Sequence, residues 1–242
     1  MNNSPEVSIC LGAYREADNL INLLPQLSAL LASVQGGYEI LVIDTNPSFD
    51  NAAQVCKQFS EVRYIQREEN NSYGAMVRTA IKQARGKKIL FIDADGSHDP
   101  AIIPQLLVHA DHYDLVIGSR YVSGGQTENS SLLKFQSWLL NTTYRIFLGI
   151  KVKDISNSLR CYRADLLKPL HLNGVNFDIL EEILVKLMLE NPSLTILEVP
   201  ICFHKRQAGS SSRRLIPFLI SLGCTLISLW WLKIRYRLTA QH

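Results

Sequence analysis

The sequence predicts an α/β fold built on a mostly parallel, doubly wound sheet. Three observations carry that expectation. Apolar runs rich in strand formers recur through the first half of the chain. Helical patterns follow them, and two of the runs, Glu39 to Asp44 and Lys88 to Asp93, end on a carboxylate. Strand-helix units in succession need right-handed crossovers and so place their strands parallel. Sheets of that kind bind ligands at the carboxyl ends of their strands.

Val7 to Leu11 is the first apolar run. Gly12-Ala13-Tyr14 leaves it, and the polar stretch Arg15 to Asn19 opens a helix. Leu20 to Val34 has apolar residues at helical spacing, and Gly36-Gly37 ends it. Glu39 to Asp44 is a second strand, and Pro47 interrupts regular structure just beyond it. Asn51 to Phe59 reads as a helix, Val62 to Ile65 as a short strand, and Tyr73-Gly74-Ala75 starts a helix running to Ala84. Lys88 to Asp93 is the most apolar strand. A helix from Pro100 to His109 precedes a fourth strand, Asp114 to Ser119, and the loop holding Gly124-Gly125. Composition then shifts: Leu132 to Leu148 and Asn176 to Leu189 read as helices, Thr195 to Pro200 as a strand, and the basic, Ser-rich Arg206 to Arg214 as a mobile loop.

Leu215 to Leu232 has no charged residue and lies between Arg213-Arg214 and the basic Lys233, Arg235 and Arg237. Its length is close to the minimum for a membrane span. Ser221, Gly223, Cys224, Thr225 and Ser228 interrupt its apolar character, and Trp230-Trp231 sits beside the basic end as interfacial anchors do. An interfacial helix, a membrane span and a buried or dimer-forming helix are the three readings, the last compatible with a homo-oligomer. The chain divides accordingly into a globular domain, 1–212, and a basic-flanked apolar helix, 213–242.

With 47% hydrophobic and 19% charged residues the composition is that of a globular protein and excludes disorder. A net charge of +3 gives no support to nucleic-acid binding. The cysteines, Cys10, Cys56, Cys161, Cys202 and Cys224, are odd in number and lack C-x-x-C spacing, against both a disulfide framework and a zinc site. Met1 to Glu6 has no basic stretch leading into an apolar one. Both point to a reducing compartment, and the expected location is the cytoplasmic face of a membrane, peripheral or with one C-terminal span.

Asp93-Ala94-Asp95 places carboxylates at i and i+2 as the chain leaves a strand, where they can share Mg²⁺ or Mn²⁺ with diphosphate oxygens. Such a cation neutralises charge on a departing nucleoside diphosphate. A solvated turn capping the next helix is the plainer reading, but Asp44 supplies a third acid at a neighbouring strand end. Gly118-Ser119-Arg120-Tyr121 puts a cation just past a strand, and Arg120 can pair bidentately with phosphate. Lys134, Arg206, Arg213 and Arg214 are further cations whose plain reading is a solvated face, with membrane contact open to the last two. No G-x-G-x-x-G follows the first strand, so dinucleotide binding lacks its turn.

In this order the motifs resemble glycosyltransferase family 2, which has a GT-A (nucleotide-diphospho-sugar transferase) fold, and most closely its polyprenyl-phosphate (dolichyl-phosphate) mannosyl- and glucosyltransferases. The resemblance covers Val7 to Ser212. Gly12 to Glu16 stands at P-x-Y-N-E, Asp44 to Asp50 at D-D-x-S-x-D, Tyr73-Gly74-Ala75 at G-x-G-x-A, and Asp93 to His98 at D-A-D-x-Q-H. Gly118 to Gly125 matches G-S-R-Y-x-x-G-G, with Glu128-Asn129 continuing it. Asp154 to Arg160, Leu180 to Leu184, Glu198-Val199-Pro200 and Arg206 to Ser212 resemble D-x-x-[SN]-G-F-R, L-x-E-I-L, E-V-P and R-x-x-G-x-S-K.

The resemblance implies a metal-dependent, inverting transfer from a GDP- or UDP-sugar to a polyprenyl phosphate or glycolipid at a membrane surface. It places Ala13, Tyr14 and Glu16 beside the nucleotide base, Asp44 in contact with that base, and Gly74 and Ala94 in the nucleotide-sugar site. Asp95 becomes the main metal ligand, Asp93 assists through ribose or metal, and Arg120, Lys134, Arg206 and Ser211 hold phosphates. Thr45, Arg15, Ser97, Ser158 and Ser212 depart from the family's residues, and Lys134 stands where Arg is frequent. A lipid phosphate needs no base, because a monoester's second pKa is about 6. A hydroxyl acceptor does, and Asp154 and Glu182 are then the expected acceptors of its proton, against the plain reading of Glu182 as a helix-face acid. The rival to an enzyme is a membrane-associated nucleotide-sugar-binding protein of weak activity on the same fold.

Overall fold

A computed structural model describes residues 4–205 and 215–239. The chain runs β1 (Val7–Gly12), α1 (Ala17–Leu31), β2 (Tyr38–Asp44), α2 (Ala52–Cys56), β3 (Val62–Gln66), α3 (Tyr73–Gln83) and β4 (Lys88–Asp93). A 3₁₀ turn, Pro100–Ile102, leads into α4 (Ile103–His109), then β5 (Leu115–Ser119), β6 (Gln126–Thr127), α5 (Ser131–Leu148), β7 (Arg160–Arg163) and α6 (Ala164–Leu167). The last elements are α7 (Asp178–Glu190), β8 (Ile196–Pro200), β9 (Cys202–Phe203) and α8 (Leu215–Thr239).

The sheet has seven strands in the order β3-β2-β1-β4-β7-β5-β8, and β6 and β9 form a separate ribbon. β1 pairs in parallel with β2 on one side and β4 on the other, so strand order reverses there. β7 is the exception to the parallel expectation: it lies antiparallel between β4 and β5. Its sequence, Arg-Cys-Tyr-Arg, offers charge at both ends in place of an apolar run.

Strand residues alternate between two cores, as the two-residue period of a pleated strand requires. Ile40, Val42, Leu90 and Ile92 pack with Leu20, Leu24 and Leu27 of α1 and Ile103 of α4. Leu41, Ile43, Ile89 and Phe91 pack with Val77 of α3, Tyr144 of α5 and Ile183 of α7. Both faces of the sheet are covered at its centre, which is why β1, β2 and β4 read as near-continuous apolar runs.

Helix ends agree with local chemistry. Ser72 accepts a hydrogen bond from the Ala75 N–H at 3.1 Å, and Asp99 from Ala101 at 2.9 Å. α1 ends at Leu31, short of Val34, and α2 is shorter than the Asn51 to Phe59 pattern.

α8 lies on α5 and α7. Leu222 and Leu229 are 8% and 4% exposed and join the same core as Tyr144 and Ile183. Burial of each contributes on the order of 1.5–3 kcal/mol. Among the described residues no helix is long and apolar enough to cross a membrane. That sets the spanning alternative aside: the small and polar residues between Ser221 and Ser228 lower the hydropathy, and Lys233 and Arg235 come directly after Leu232.

Candidate functional site

The register of the central strands builds the site. Gly12 pairs with Ile43 on one side and Asp93 on the other, so Ala13, Asp44 and Asp93 leave the sheet at one edge. Asp95 is buried and accepts from the Ser97 N–H at 3.0 Å. Asp93 accepts from the Ser158 hydroxyl at 2.7 Å, so the departure from glycine at that position provides a hydroxyl that holds the first acid. His98 Nδ1 stands 3.7 Å from Asp93, and its Nε2 is 2.9 Å from Asn157 Oδ1. Asn157 donates in turn to the Gly118 carbonyl. The loop before β7 thus ties the end of β4 to the end of β5. Arg160, fully buried, fixes that loop by donating to the Asn157 carbonyl at 2.8 Å and to Leu180 at 3.0 Å.

Asp93 and Asp95 fit a hard divalent cation. The Ser97 hydroxyl beside them is buried and has no hydrogen-bond partner among the described residues, so a third hard oxygen donor stands at this edge, with the His98 imidazole next to Asp93.

Arg120 is 9% exposed, and its guanidinium donates to Asp154 from Nε at 2.8 Å and from Nη2 at 2.7 Å. Ser156 accepts from Nη2 at 2.8 Å. The guanidinium lies over the rings of both Tyr121 and Phe203, 5.2 and 5.3 Å from their centroids. Burial alone would lower its pKa, but the Asp154 carboxylate outweighs that and raises it. Behind it Gly125 passes so close to the chain that a Cβ there would meet Ser119 O at 2.6 Å. Arg120, Gln126 and Thr127 line a cavity of about 590 Å³ with Lys134, Phe135 and Trp138 of α5.

Asp154, expected as a base, is fully buried and paired to Arg120 through both oxygens. Glu182 accepts from the Asn173 and Gly174 N–H groups at 2.9 and 2.7 Å and pairs with Lys186 at 2.8 Å. It anchors a loop, so both acids have their oxygens engaged with partners from the chain itself.

At the other end of the cleft Asp44 is fully enclosed. It accepts from the Thr45 N–H at 2.7 Å, from Ser48 at 2.5 Å and from Tyr64 at 2.8 Å. Burial, with Asp44 alongside, pushes the Tyr64 phenol up to about 12, so it remains a donor. Asp44 therefore holds its own loop and does not open onto the cleft as a contact for a base. The groups exposed there are Tyr14, Arg15 and Phe49, with the Arg15 guanidinium 5.7 and 5.5 Å from the two rings. Arg15 adopts φ 59°, a left-handed conformation that costs a non-glycine residue about 1–2 kcal/mol. Glu16 accepts from Asn19 at 2.6 Å. Ala13 is buried, and its carbonyl accepts from Arg67 at 3.0 Å.

Gly74 is a packing position: a Cβ there would lie 1.9 Å from the Gly174 carbonyl oxygen. Ala94 is buried and packs in the core shared with Leu90 and Ile92. Arg206 and Ser211 lie outside the described residues. Sequence reasoning missed Arg67, Ser156, Trp138 and Phe203. Only Arg67, directly after a strand, carries a sequence sign of its place.

A mostly parallel sheet whose strand order reverses at β1, with acids at the end of β4 and a buried arginine just past β5, is that of a GT-A-like α/β domain. The chain belongs to glycosyl transferase family 2, whose model matches residues 8–170. It is 30% identical over 214 residues to dolichol-phosphate mannosyltransferase of Pyrococcus furiosus, across 85% of this chain and 58% of that protein. Identity to undecaprenyl-phosphate mannosyltransferase of Micrococcus luteus is 39% over 136 residues, 52% of this chain and 54% of that one. The fold matches glucosyl-3-phosphoglycerate synthase of Mycobacterium tuberculosis, solved with Mn²⁺, uridine diphosphate and phosphoglyceric acid. There the TM-score is 0.72 at 18% identity, over 93% of this chain and 78% of that one. The chain spans 48–62% of the length of the first curated relatives it matches.

Proposed function

We propose that the chain transfers a sugar, with inversion, from a nucleoside-diphosphate donor to a polyprenyl phosphate at a membrane surface. The observation that carries this reading is the cavity in which Arg120 and Lys134 stand beside Phe135 and Trp138. Cations next to an exposed aromatic wall suit a phosphate carried on an apolar chain. The names of the Pyrococcus and Micrococcus relatives support that acceptor class.

Asp93 and Asp95 would hold Mg²⁺ or Mn²⁺, which when bound neutralises charge on the departing diphosphate. Arg120, oriented by Asp154, and Lys134 face the acceptor phosphate. That phosphate is already dianionic near neutral pH and supplies its own nucleophile. The engagement of Asp154 and Glu182 elsewhere agrees with a reaction that needs no protein base.

Membrane association rests on α5 and α8 lying in the interface. Phe135, Trp138 and Phe147 of α5 are exposed by half or more, as are Ile220, Ile227 and Trp231 of α8. The cytoplasmic face accords with the cysteines, which are all free.

Incubating the protein with Mn²⁺, a polyprenyl phosphate and a panel of GDP- and UDP-sugars, followed by mass spectrometry of the lipids, tests the reading. A polyprenyl-phosphate sugar is expected, and Lys134→Ala should raise the lipid KM roughly tenfold, the worth of one charged hydrogen bond. Transfer to hydroxyl acceptors alone would contradict it.

A further inference from the structure

We propose that Glu128, Cys202 and His204 form a second cation site, for a borderline-soft ion such as Zn²⁺, on the outer face of the β6–β9 ribbon. The ribbon is parallel, with Gln126 opposite Cys202 and Thr127 opposite Phe203. Glu128 continues the register to His204, and the Glu128 N–H donates to the Phe203 carbonyl at 2.9 Å. Side chains alternate along a strand, so Cys202 and His204 share one face and Phe203 takes the other. Phe203 points inward, its ring 5.1 Å from that of His98 and 5.3 Å from the Arg120 guanidinium.

On the outer face a carboxylate oxygen, a thiol sulfur and an imidazole nitrogen all lie within 4.8 Å of one another. Glu128 Oε1 is 3.3 Å from His204 Nδ1, and the Lys205 N–H donates to Glu128 Oε2 at 3.1 Å, fixing the carboxylate. Mixed nitrogen, sulfur and oxygen donors suit zinc, which needs three protein ligands and leaves a fourth position for solvent. The oxygens at Asp93 and Asp95 suit a harder ion. Glu128 and His204 side chains are 51% and 41% exposed, so an ion reaches them without unfolding the ribbon. The spacing of the cysteines excludes a zinc site built from sequence-local pairs, whereas this one is assembled by the pairing of β6 with β9. Because Phe203 covers Arg120 from the inner face of the same strand, an ion here braces the wall of the acceptor cavity.

The test is a cobalt titration of the full chain after treatment with a chelator, read by the thiolate-to-cobalt charge-transfer band. The band should appear in the wild type and persist in Asp95→Asn, which disables the acidic pair, and in Cys224→Ser, which removes the exposed thiol. It should vanish in Cys202→Ser, and His204→Ala should weaken cobalt affinity by at least about tenfold. A wild type without the band, or a band surviving in Cys202→Ser, overturns the proposal. Alkylation of the wild type gives a check that needs no variant. Zn²⁺ should slow modification of Cys202 at least about tenfold and leave Cys224 unchanged, while equal rates with and without Zn²⁺ overturn the site.

Discussion

Arg120 and Asp154 form a buried bidentate pair, and the Arg120 backbone N–H donates to the same carboxylate oxygen at 2.8 Å. One acid thereby fixes both the main chain and the side chain of the cation that ends β5. Replacing it leaves a buried guanidinium without its counter-charge, a change that typically costs about 3–5 kcal/mol. Asp154→Asn should lose stability of that order in urea denaturation. A variant as stable as the wild type would mean that the pair is not what holds Arg120.

Gly74 meets the Gly174 carbonyl, which is main chain and has no rotamer to escape into. Gly74→Ala should destabilise by about 1–3 kcal/mol, the usual cost of overpacking, read as a lowered melting temperature. Gly223 in α8 is the control, because a Cβ there has nothing within 4 Å. Gly223→Ala should stabilise by about 0.5–1 kcal/mol through helix propensity.

Glu39 ties β2 to its neighbours. It accepts from the Ser8 hydroxyl at 2.6 Å, from Arg63 at 2.7 Å and from the Arg85 N–H at 2.7 Å. Burial alone would raise its pKa, but these donors together lower it. A carboxylate lowered in the folded state gives stability that is complete above the unfolded value of about 4.3 and is lost as pH falls through the folded one. Glu39→Gln should therefore be less stable than the wild type at neutral pH, with the gap closing below about pH 4. A gap independent of pH would remove the charge from the explanation.

The parallel half of the sheet was legible because strands covered on both faces must be apolar, and β2 and β4 end abruptly on acids. β7 was not, since a four-residue strand between two others takes its partners from the fold. The same limit hid the β6–β9 ribbon, where two-residue strands carry no period. The places of Asp44, Asp93, Asp95 and Arg120 at or just past strand ends could be read from the sequence. The enclosure of Asp44 could not, because Ser48 and Tyr64, which close over it, belong to a loop and to β3. Asp154 looked like a base in sequence because nothing there reveals that Arg120 lies against it.

The acidic strand end is the centre of the account, and the most direct test is calorimetric binding of a nucleoside diphosphate with and without Mn²⁺. The wild type should bind on the order of a hundredfold more tightly with the ion, about 2.7 kcal/mol, and Asp95→Asn should lose that difference while remaining folded. Metal-dependent binding that survives unchanged in Asp95→Asn would contradict the assignment.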